Sequence, residues 1–359
     1  IFGSRGLGDV YKRQLLPLVL YLFLGKITHR KLPMRTKFTL IFFLLMVATG
    51  HAQQYHFNIY SVEEGLPQSE VSDIIQTADG NLWLATGGAG ICSFNGKEFT
   101  VFDKQSGLAD NEINRLAIDN DGILWVATEG GLSRYDGDTI ITYTVSNSDL
   151  PDNQVYSLYA DTKGNIWAGT ASGLCKIKAE DFKTYTTNDG LPSDEILALD
   201  GNANGEVWIG TGTGISRFKE NAFQNFDTTN GLVNDIAQTL KITEDGKIWI
   251  GTIAGLSVFD GNSFKNYTTQ NGLLDDNILS LAEDSRGNIW AGTETAGAYK
   301  FSDSGIKQYS TEEGLSNEQV ISIFESREKN VWFGTSGGGV CQFPGEQFTL
   351  FDKQDGLLD

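Results

Sequence analysis

Histidine is scarce in this chain of 359 residues, which contains only three. His29 and His51 lie within the first 52 residues, so His56 is the only imidazole in the remainder. Counting alone therefore excludes most imidazole catalysis and His-rich metal sites from the body of the chain. We expect no metal site and no cofactor.

Cysteine is equally scarce, and the three copies are an odd number. Each follows an aliphatic residue in a matching string: ICSF, LCKI and VCQF. The residues are Cys92, Cys175 and Cys341, and the same slot elsewhere holds Ser133, Ser216, Ser257 and Tyr299. A disulfide or a metal site is one interpretation. We favour small, half-buried strand residues, because equivalent positions in different repeats lie too far apart to bridge.

Basic residues are few beyond residue 52. The whole chain has 27 Lys and Arg against 46 Asp and Glu, a net charge of −19. Eight basic residues and one acid fall in residues 1–52, which leaves 19 basic and 45 acidic residues, a net charge of −26, on the remainder. A surface of this charge repels phosphate, so nucleic acid is excluded as a partner.

The only pronounced apolar runs lie near the N-terminus. From Met34, a basic segment with Arg35 and Lys37 precedes an apolar stretch, 38–47, and small residues end it at Ala52. This order predicts a signal peptide over 34–52, with export to the periplasm or the cell exterior. An uncleaved anchor is the alternative, but about ten apolar residues are too few to span a bilayer comfortably. We expect residues 1–33, which do not begin with Met, to be a non-native leader.

Seven tryptophans recur at a spacing of 41 or 42 residues. Each is followed three residues later by Thr, with Ala or Gly before it, so W-x-[AG]-T occurs seven times. A fixed period of this length indicates a repeat architecture rather than two ordinary domains. The repeated tryptophans are Trp83, Trp125, Trp167, Trp208, Trp249, Trp290 and Trp332.

One period contains four strand signals separated by turn residues. In the second period these signals are 112–118, 123–128, 132–135 and 140–143. Four short antiparallel strands per period describe one blade of a β-propeller. We therefore predict an all-β fold, a seven-bladed β-propeller of four-stranded antiparallel blades, over residues 53–351.

The repeated Trp and Thr are predicted to be structural framework. Blades of a propeller pack face to face, so one Trp per blade fills the space between neighbours, and the Ala or Gly lets the sheets approach. A Gly before the Trp strand permits a turn with positive φ in six periods. The seventh period has Lys329 at that position, so we expect its turn to differ.

The repeated string resembles the two-component regulator propeller repeat. It appears here as GLPSDEI followed by GNANGEVWIGTGTGI, and as DLPDNQV followed by DTKGNIWAGTASGL. The resemblance covers about 300 residues, from Gln54 to the C-terminus. It implies the periplasmic sensor region of a hybrid histidine kinase, often one that senses glycan fragments. Since the sequence contains no kinase segment, the resemblance implies a histidine kinase downstream in the full-length chain or in a partner chain.

Candidate ligand-binding residues lie where the loops between blades meet the central channel. With strands lettered A to D from the channel outwards, the D–A and B–C loops share one end of it. The last two residues of each D–A loop are rich in carboxylates and amides and lack basic residues, which suits hydroxyl-rich or cationic ligands. The candidates, including two at the start of strand A, are Glu70, Asn111, Glu112, Arg115, Gln154, Tyr156, Glu195, Asp235, Asp276 and Gln319.

A structural role is the alternative for these loop residues, because Asp, Asn and Ser before a strand commonly cap turns. At the other end of the channel, Asp119-x-Asp121-Gly122 matches a fragment of a calcium-binding loop but lacks the downstream Glu. We interpret it as an Asx turn.

Three functions fit these observations. The first is an exported sensor propeller that binds a polar small molecule or oligosaccharide, alone or as a homodimer. The second is a propeller enzyme of streptogramin-lyase type, but that family relies on a late His base and no His follows His56. The third is a non-catalytic scaffold that binds proteins. We expect a non-enzymatic sensor.

The ring has eight candidate D strands for seven blades. The extra one is 57–60, which runs through the same Gly-Leu loop into the first A strand as every other D strand does. We therefore predict that 57–60 is the outer strand of blade seven and closes the ring. In the alternative, 348–351 folds back on 340–343 as a local hairpin. We expect 352–359 to begin a further, truncated repeat.

Overall fold

The structure, a computed structural model, describes residues 57–345. These residues form seven antiparallel sheets of four strands each, as predicted. The leader (1–33), the signal peptide (34–52), the competing strand (348–351) and the start of a further repeat (352–359) lie outside the described residues. Within 57–345, no helix is long and apolar enough to cross a membrane.

The first four blades run in chain order. Blade one contains β2 (Val71–Gln76), β3 (Leu82–Thr86), β4 (Ile91–Phe94) and β5 (Phe99–Phe102). Blade two contains β6 (Ile113–Ile118), β7 (Leu124–Thr128), β8 (Gly131–Tyr135) and β9 (Ile140–Tyr143). Blade three contains β10 (Val155–Ala160), β11 (Ile166–Thr170), β12 (Gly173–Lys178) and β13 (Asp181–Tyr185). Blade four contains β14 (Ile196–Gly201), β15 (Val207–Thr211), β16 (Gly214–Lys219) and β17 (Ala222–Phe226).

The last blade combines both ends of the described chain. Blade five contains β18 (Ala237–Ile242), β19 (Ile248–Thr252), β20 (Gly255–Phe259) and β21 (Phe264–Tyr267). Blade six contains β22 (Ile278–Glu283), β23 (Ile289–Thr293), β24 (Ala298–Ser302) and β25 (Gly305–Tyr309). Blade seven contains β26 (Val320–Glu325), β27 (Val331–Thr335), β28 (Val340–Phe343) and β1 (Asn58–Tyr60). Short 3-10 turns occur at Val62–Glu64, Lys104–Ser106, Thr187–Asp189 and Thr228–Asn230.

The seven A strands form the inner wall. Each contacts the A strand of the next blade, and β2 contacts β26, so the ring is closed around a central channel. Every A strand has a bulge after its first residue, which gives two consecutive residues against one in strand B. The bulge bends the strand, and at this bend side chains of the A strand enter the channel.

The W-x-[AG]-T pattern is framework, as expected. Six of the indoles are buried between blades and Trp249 is partly buried. Each Thr is fully buried at the end of strand B and donates its hydroxyl to a glycine carbonyl across the B–C loop, as Thr170 does to Gly173 at 2.8 Å. The same hydroxyl accepts from a loop backbone N–H, here that of Ser172. The Thr therefore fixes the shape of the B–C loop.

The expectation for Lys329 is wrong. Its φ is +67°, close to the +75° of Gly164 at the equivalent turn of blade three. The turn hydrogen bond is also the same, from Lys329 N to Ser326 O at 2.9 Å. Lys329 therefore adopts the glycine conformation at some strain, and its Nζ lies 3.7 Å from Glu325 Oε2.

The three cysteines are free and fully buried, so the expectation of half-buried residues is wrong in degree. Each pairs across strands C and D with a residue of the outer strand: Cys92 with Val101, Cys175 with Thr184 and Cys341 with Ile59. Burial raises the pKa of Cys92 and Cys175 to about 12, which keeps these thiols protonated. They are packing residues.

The ring closes through the N-terminal strand, as predicted. β1 pairs with β28 in the register Asn58 with Gln342, Ile59 with Cys341 and Tyr60 with Val340. Phe57 stacks on Phe343 at a centroid distance of 5.1 Å. Within the described residues, the slot beside β28 is therefore filled by the strand that leads into blade one.

Candidate functional site

The channel wall changes character along its length. Near the end where the D–A and B–C loops lie, which we call the D–A opening, the third residue of each A strand is charged, hydroxylic or alanine. The fourth residue is Leu or Ile in every blade. Beyond that aliphatic ring lies the A–B opening, formed by the last residues of the A strands and the A–B turns.

Three of the predicted site residues, Asn111, Asp235 and Asp276, occupy the penultimate position of the D–A loop. Their side-chain oxygens accept hydrogen bonds from a backbone N–H seven residues earlier, at 2.7 Å for Asn111, 2.8 Å for Asp235 and 2.6 Å for Asp276. These side chains therefore hold the D–A loop in shape, which is the structural role given above as the alternative to ligand binding. The second oxygens of Asp235 and Asp276 accept from the hydroxyls of Thr228, at 3.4 Å, and Thr269, at 3.0 Å, which holds the loop further.

The last position of the D–A loop forms the ring that faces the D–A opening. Glu112, Gln154 and Glu195 are exposed there. Glu70 lies against Gly87 of the B–C loop, where an added Cβ would be 2.8 Å from its carboxyl carbon. Gln319 occupies the same position in blade seven. Within the described residues its side chain donates no hydrogen bond, and its backbone carbonyl accepts from the backbone N–H of Ser336 at 3.1 Å.

Tyr156 is the centre of the most connected group at the D–A opening. Its hydroxyl donates to Gln154 Oε1 at 3.3 Å, and Gln154 Nε2 donates to Glu129 Oε2 at 3.0 Å. Asn114 Nδ2 donates to the other oxygen of Glu129 at 2.8 Å. Burial raises the pKa of Tyr156, and the nearby carboxylates of Glu129 and Glu195 raise it further. The phenol is therefore neutral and half-buried beside carboxylates from two neighbouring blades.

Glu129 was missed by the sequence analysis, as was Glu294. Both directly follow the W-x-[AG]-T threonine, in the B–C loop. Glu294 Oε2 accepts from Asn277 Nδ2 at 2.7 Å within blade six, whereas Glu129 of blade two also accepts from Gln154 of blade three. The signal was available, because B–C loops share this opening with the D–A loops.

Arg115 lies inside the channel rather than at its opening. Its Nη1 donates to Ser72 O at 2.9 Å, and it is close enough to Asp73 to lower the pKa of that carboxyl. Burial is the larger effect and raises the pKa of Asp73 overall. Asp73 Oδ2 accepts from Leu116 N at 2.8 Å, so the pair also ties blade one to blade two.

The calcium-loop fragment is an Asx turn, as interpreted from the sequence. Asp119 Oδ1 accepts from the backbone of Asp121 at 3.0 Å and of Ile123 at 2.9 Å. Its second oxygen accepts from Trp125 Nε1 at 2.9 Å. Among the described residues, no group of three or more His, Cys, Asp or Glu side chains is arranged to hold a metal ion.

Solved structures with the same fold come from sensors and from enzymes. The extracellular domain assigned to a hybrid two-component system of B. thetaiotaomicron is 25% identical, with a TM-score of 0.72 over 81% of this chain and 41% of its own. A second extracellular domain from that organism, assigned to a one-component system, is 23% identical, with a TM-score of 0.68 over 81% and 40%. The virginiamycin B lyase of Staphylococcus aureus is 13% identical, with a TM-score of 0.65 over 80% and 97%.

The chain thus spans about two fifths of the length of the two sensor structures. The two likenesses below 25% identity concern the fold alone. No curated protein matches the sequence.

A family model described as two component regulator propeller matches five segments. Each segment contains a D–A loop with the A and B strands that follow it, in blades one, two, three, six and seven. The segments are 65–88, 107–130, 149–172, 272–295 and 314–337. Because these matches fall on the unit that recurs in every blade, the chain contains repeats of the two-component regulator propeller type.

Proposed function

We propose that this propeller is the ligand-binding part of an exported sensor in a two-component signalling system. These repeats and the similarity to extracellular domains of such systems support this role. The proposal includes a periplasmic or extracellular location. It also includes a histidine kinase, either downstream in the full-length chain or in a partner chain, that responds to the bound ligand.

The D–A opening around Tyr156 is the proposed binding site. The half-buried ring of Tyr156 offers a surface on which a sugar can stack, and Gln154, Glu129 and Glu195 place hydrogen-bonding groups around it. A few convergent polar groups around an aromatic surface are typical of sites for polar small molecules. The arrangement of Tyr156 is the observation that carries the proposal.

The charge of this opening selects the ligand class. Glu70, Glu112 and Glu195 lie at the end of D–A loops and Glu129 and Glu294 at the start of B–C loops, and no Lys or Arg occupies those positions. Such a ring repels anions and favours neutral, hydroxyl-rich or cationic molecules. A glycan fragment without acidic groups fits this requirement.

A lyase activity is the runner-up function, since propeller lyases share the fold. One of the lyase structures is described as inactivated by a His-to-Ala substitution. This chain has no His after His56, so it has no counterpart for such a residue in its seven blades. We therefore favour a non-catalytic propeller. A scaffold that binds only proteins is the third candidate, and it would bind no glycan.

The test is a glycan array followed by calorimetry on each hit. We expect neutral oligosaccharides to bind and acidic ones not to bind. The double substitution Glu112→Ala and Glu195→Ala, and separately Tyr156→Ala, should each weaken binding by about tenfold or more. Asp138→Ala, an exposed change in a C–D turn, is the control and should leave affinity unchanged. Unaltered affinity in the first two variants would place the site elsewhere, and an array without hits would favour the scaffold.

A further inference from the structure

The rim of the D–A opening carries large apolar residues in blade five alone. We define the rim as two residues of each blade, the last residue of the D–A loop and the first residue of the B–C loop. In blade five these residues are Ile236 and Ile253, whereas the other six blades have Glu, Gln, Asn, Ser, Gly or Ala at both positions. The repeat therefore does not require isoleucine at the rim.

The two isoleucines lie next to each other and are open to solvent. The ladder between strands A and B of blade five pairs Ala237 with Thr252, so Ile236 and Ile253 are opposite each other one step beyond that pair. Their exposed fractions are 37% and 41%. They form a small apolar surface at the mouth of the channel, and a ligand that covered it would remove hydrocarbon from water.

Contacts in other blades show which rim residues are neighbours. Gln154 Nε2 donates to Glu129 Oε2 of the preceding blade at 3.0 Å, so a D–A rim residue lies beside the B–C rim residue of the blade before it. By the same arrangement, Ile236 lies beside Gly212 of blade four. An added Cβ at Gly212 would be 3.2 Å from Glu195 Oε2. No side chain of Gly212 therefore separates the Glu195 carboxylate from Ile236.

Leu197 continues the apolar surface from blade five towards Tyr156. Leu197 and Tyr156 are the second residues of neighbouring A strands, and both are half-buried. Tyr156 reaches the rim from this position, since its hydroxyl donates to Gln154 Oε1 at 3.3 Å. Tyr156, Leu197 and Ile236 thus follow one another through blades three, four and five.

The size and charge of this surface indicate what covers it. Two partly exposed isoleucines offer far less area than the about 800 Å² that each partner buries in a stable protein interface. The carboxylate of Glu195 beside them repels an anionic group. A small uncharged hydrocarbon group, attached to a molecule that is held at Tyr156, meets both requirements.

We propose that the D–A opening recognises a neutral sugar that carries a hydrocarbon group, and that Ile236 and Ile253 contact this group. The sugar stacks on Tyr156, and the hydrocarbon group extends over Leu197 to the two isoleucines. This inference rests on the function proposed above. It makes the isoleucine pair a determinant of specificity within that site.

Calorimetry with methyl and hexyl glycosides of glucose, galactose and mannose tests the apolar part of the site. We expect the hexyl glycoside of at least one of these sugars to bind at least about tenfold more tightly than its methyl glycoside, because its longer chain leaves water on binding. 1-Hexanol has the chain without the sugar. It should bind at least about tenfold more weakly than the hexyl glycoside.

A double substitution, Ile236→Asn with Ile253→Glu, removes the apolar surface. It copies the rim pair of blade six, Asn277 and Glu294, and is therefore compatible with the fold. It should lower the affinity for the hexyl glycoside by about tenfold, to that of the methyl glycoside. Ile141→Asn, in outer strand β9 and 39% exposed, is the matched control and should leave both affinities unchanged.

Each other result overturns the inference. If methyl glycosides or array oligosaccharides bind and the hexyl group adds no affinity, the isoleucines are not part of the site, while the proposed function stands. Equal affinity for 1-hexanol reduces the surface to an apolar patch that does not recognise a sugar. A change in the mass measured by sedimentation in the double variant would make the pair a contact between copies of the chain. If no sugar binds in either assay, the proposed function fails, and this inference fails with it.

Discussion

At the scale of single residues, the indole nitrogens of Trp167 and Trp290 each donate to the carboxylate of one turn residue. Trp167 Nε1 donates to Asp161 Oδ2 at 3.0 Å, and Trp290 Nε1 donates to Asp284 in the same way. Asp161 also accepts from the backbone of Lys163 and Asn165, both at 2.9 Å. One carboxylate thus accepts hydrogen bonds both from the backbone of the A–B turn and from the indole in the blade core.

Asp161→Asn is therefore expected to destabilise the protein by about 1.5–3 kcal/mol, the range for hydrogen bonds to a charged group. The amide offers one oxygen where the carboxylate offers two. Thermal or urea unfolding measures the loss. Asp121→Asn, an exposed change in the equivalent turn of blade two, is the matched control. Equal effects of the two substitutions would contradict the assignment.

The same residue predicts a pH dependence. Burial raises the pKa of Asp161, but hydrogen bonds from Trp167 and Asn165 outweigh it and hold the pKa below its ordinary value. The stabilisation is present above the unfolded pKa of about 3.9 and is lost as the pH falls through the folded value. The stability difference between wild type and Asp161→Asn should therefore be constant at neutral pH and shrink in acid. A difference that grows in acid would contradict this sign.

Residue roles were predictable from the sequence where they repeat. Seven copies of Trp and Thr identified framework, and the Asx turn at Asp119 followed from residue type. Lys329 was not predictable, because a non-glycine residue at positive φ depends on neighbours such as Glu325. Glu129 was not predicted, because the candidate residues came from the D–A loops alone, although the B–C loops line the same opening.

At the scale of elements, hydrogen bonds from the start of an A strand join six of the seven blades to the next blade. Ser322 Oγ donates to Val71 O at 2.9 Å, from blade seven to blade one. This hydroxyl passes over Gly334 of strand B, where an added Cβ would be 2.1 Å from Ser322 Oγ and 2.4 Å from Val71 O. The Gly of W-x-[AG]-T therefore leaves space for the bond between blades.

Gly334→Ala should cost about 1–3 kcal/mol, as is usual for overpacking in a tight core. The pattern explains where Ala is allowed: in blade two the bulge residue is Arg115, which turns into the channel, and Ala127 stands opposite it. Ala127→Gly is the comparison and should cost about 0.5–1 kcal/mol in chain entropy and about 0.8 kcal/mol for the loss of a fully buried methyl group. Chemical denaturation measures both. If Gly334→Ala left the free energy of unfolding unchanged, the contact between the two blades would be able to widen without cost.

Elements were predicted more closely than their joints. The strands of blade two begin and end within one residue of the predicted limits, because turn residues delimit each strand. The bulge in every A strand was not predicted. Two adjacent residues that face a single residue of strand B cause no recognisable change in the alternation of apolar residues along the sequence. It decides which side chains enter the channel, and the candidate sites depend on it.

At the scale of the whole molecule, the two openings of the channel differ although the repeats are alike. Each of the seven blades contributes one residue to every level of the channel wall. A binding site therefore forms where a few blades carry residues that differ from those of the other blades. The number of blades and the closing strand follow from the period. The ion pair between Lys241 and Asp200 was not predicted, because the two residues are adjacent only across blades.

Ring closure gives the last prediction. β1 joins residues 57–60 to residues 340–343, and Tyr60 stacks on Trp332 at a centroid distance of 5.7 Å. Deletion through Tyr60 removes this strand, the buried ring of Phe57 and the partly buried ring of Tyr60, which should cost about 5 kcal/mol or more and expose β28 as an open edge. Deletion through Gln54, which leaves β1 intact, is the control and should not change the unfolding temperature.

The sequence 348–351 has the same F-x-x-F pattern as the outer-strand segments 99–102 and 223–226 and can compete for the vacated place beside β28. We therefore expect the deletion through Tyr60 to be partly rescued by this segment, and a second deletion after Gly345 to abolish the rescue. Hydrogen exchange at 340–343 distinguishes the cases: protection should fall in the first variant and vanish in the double variant. If the deletion after Gly345 alone destabilises the ring as much as loss of β1, then β1 is not the strand that closes the propeller.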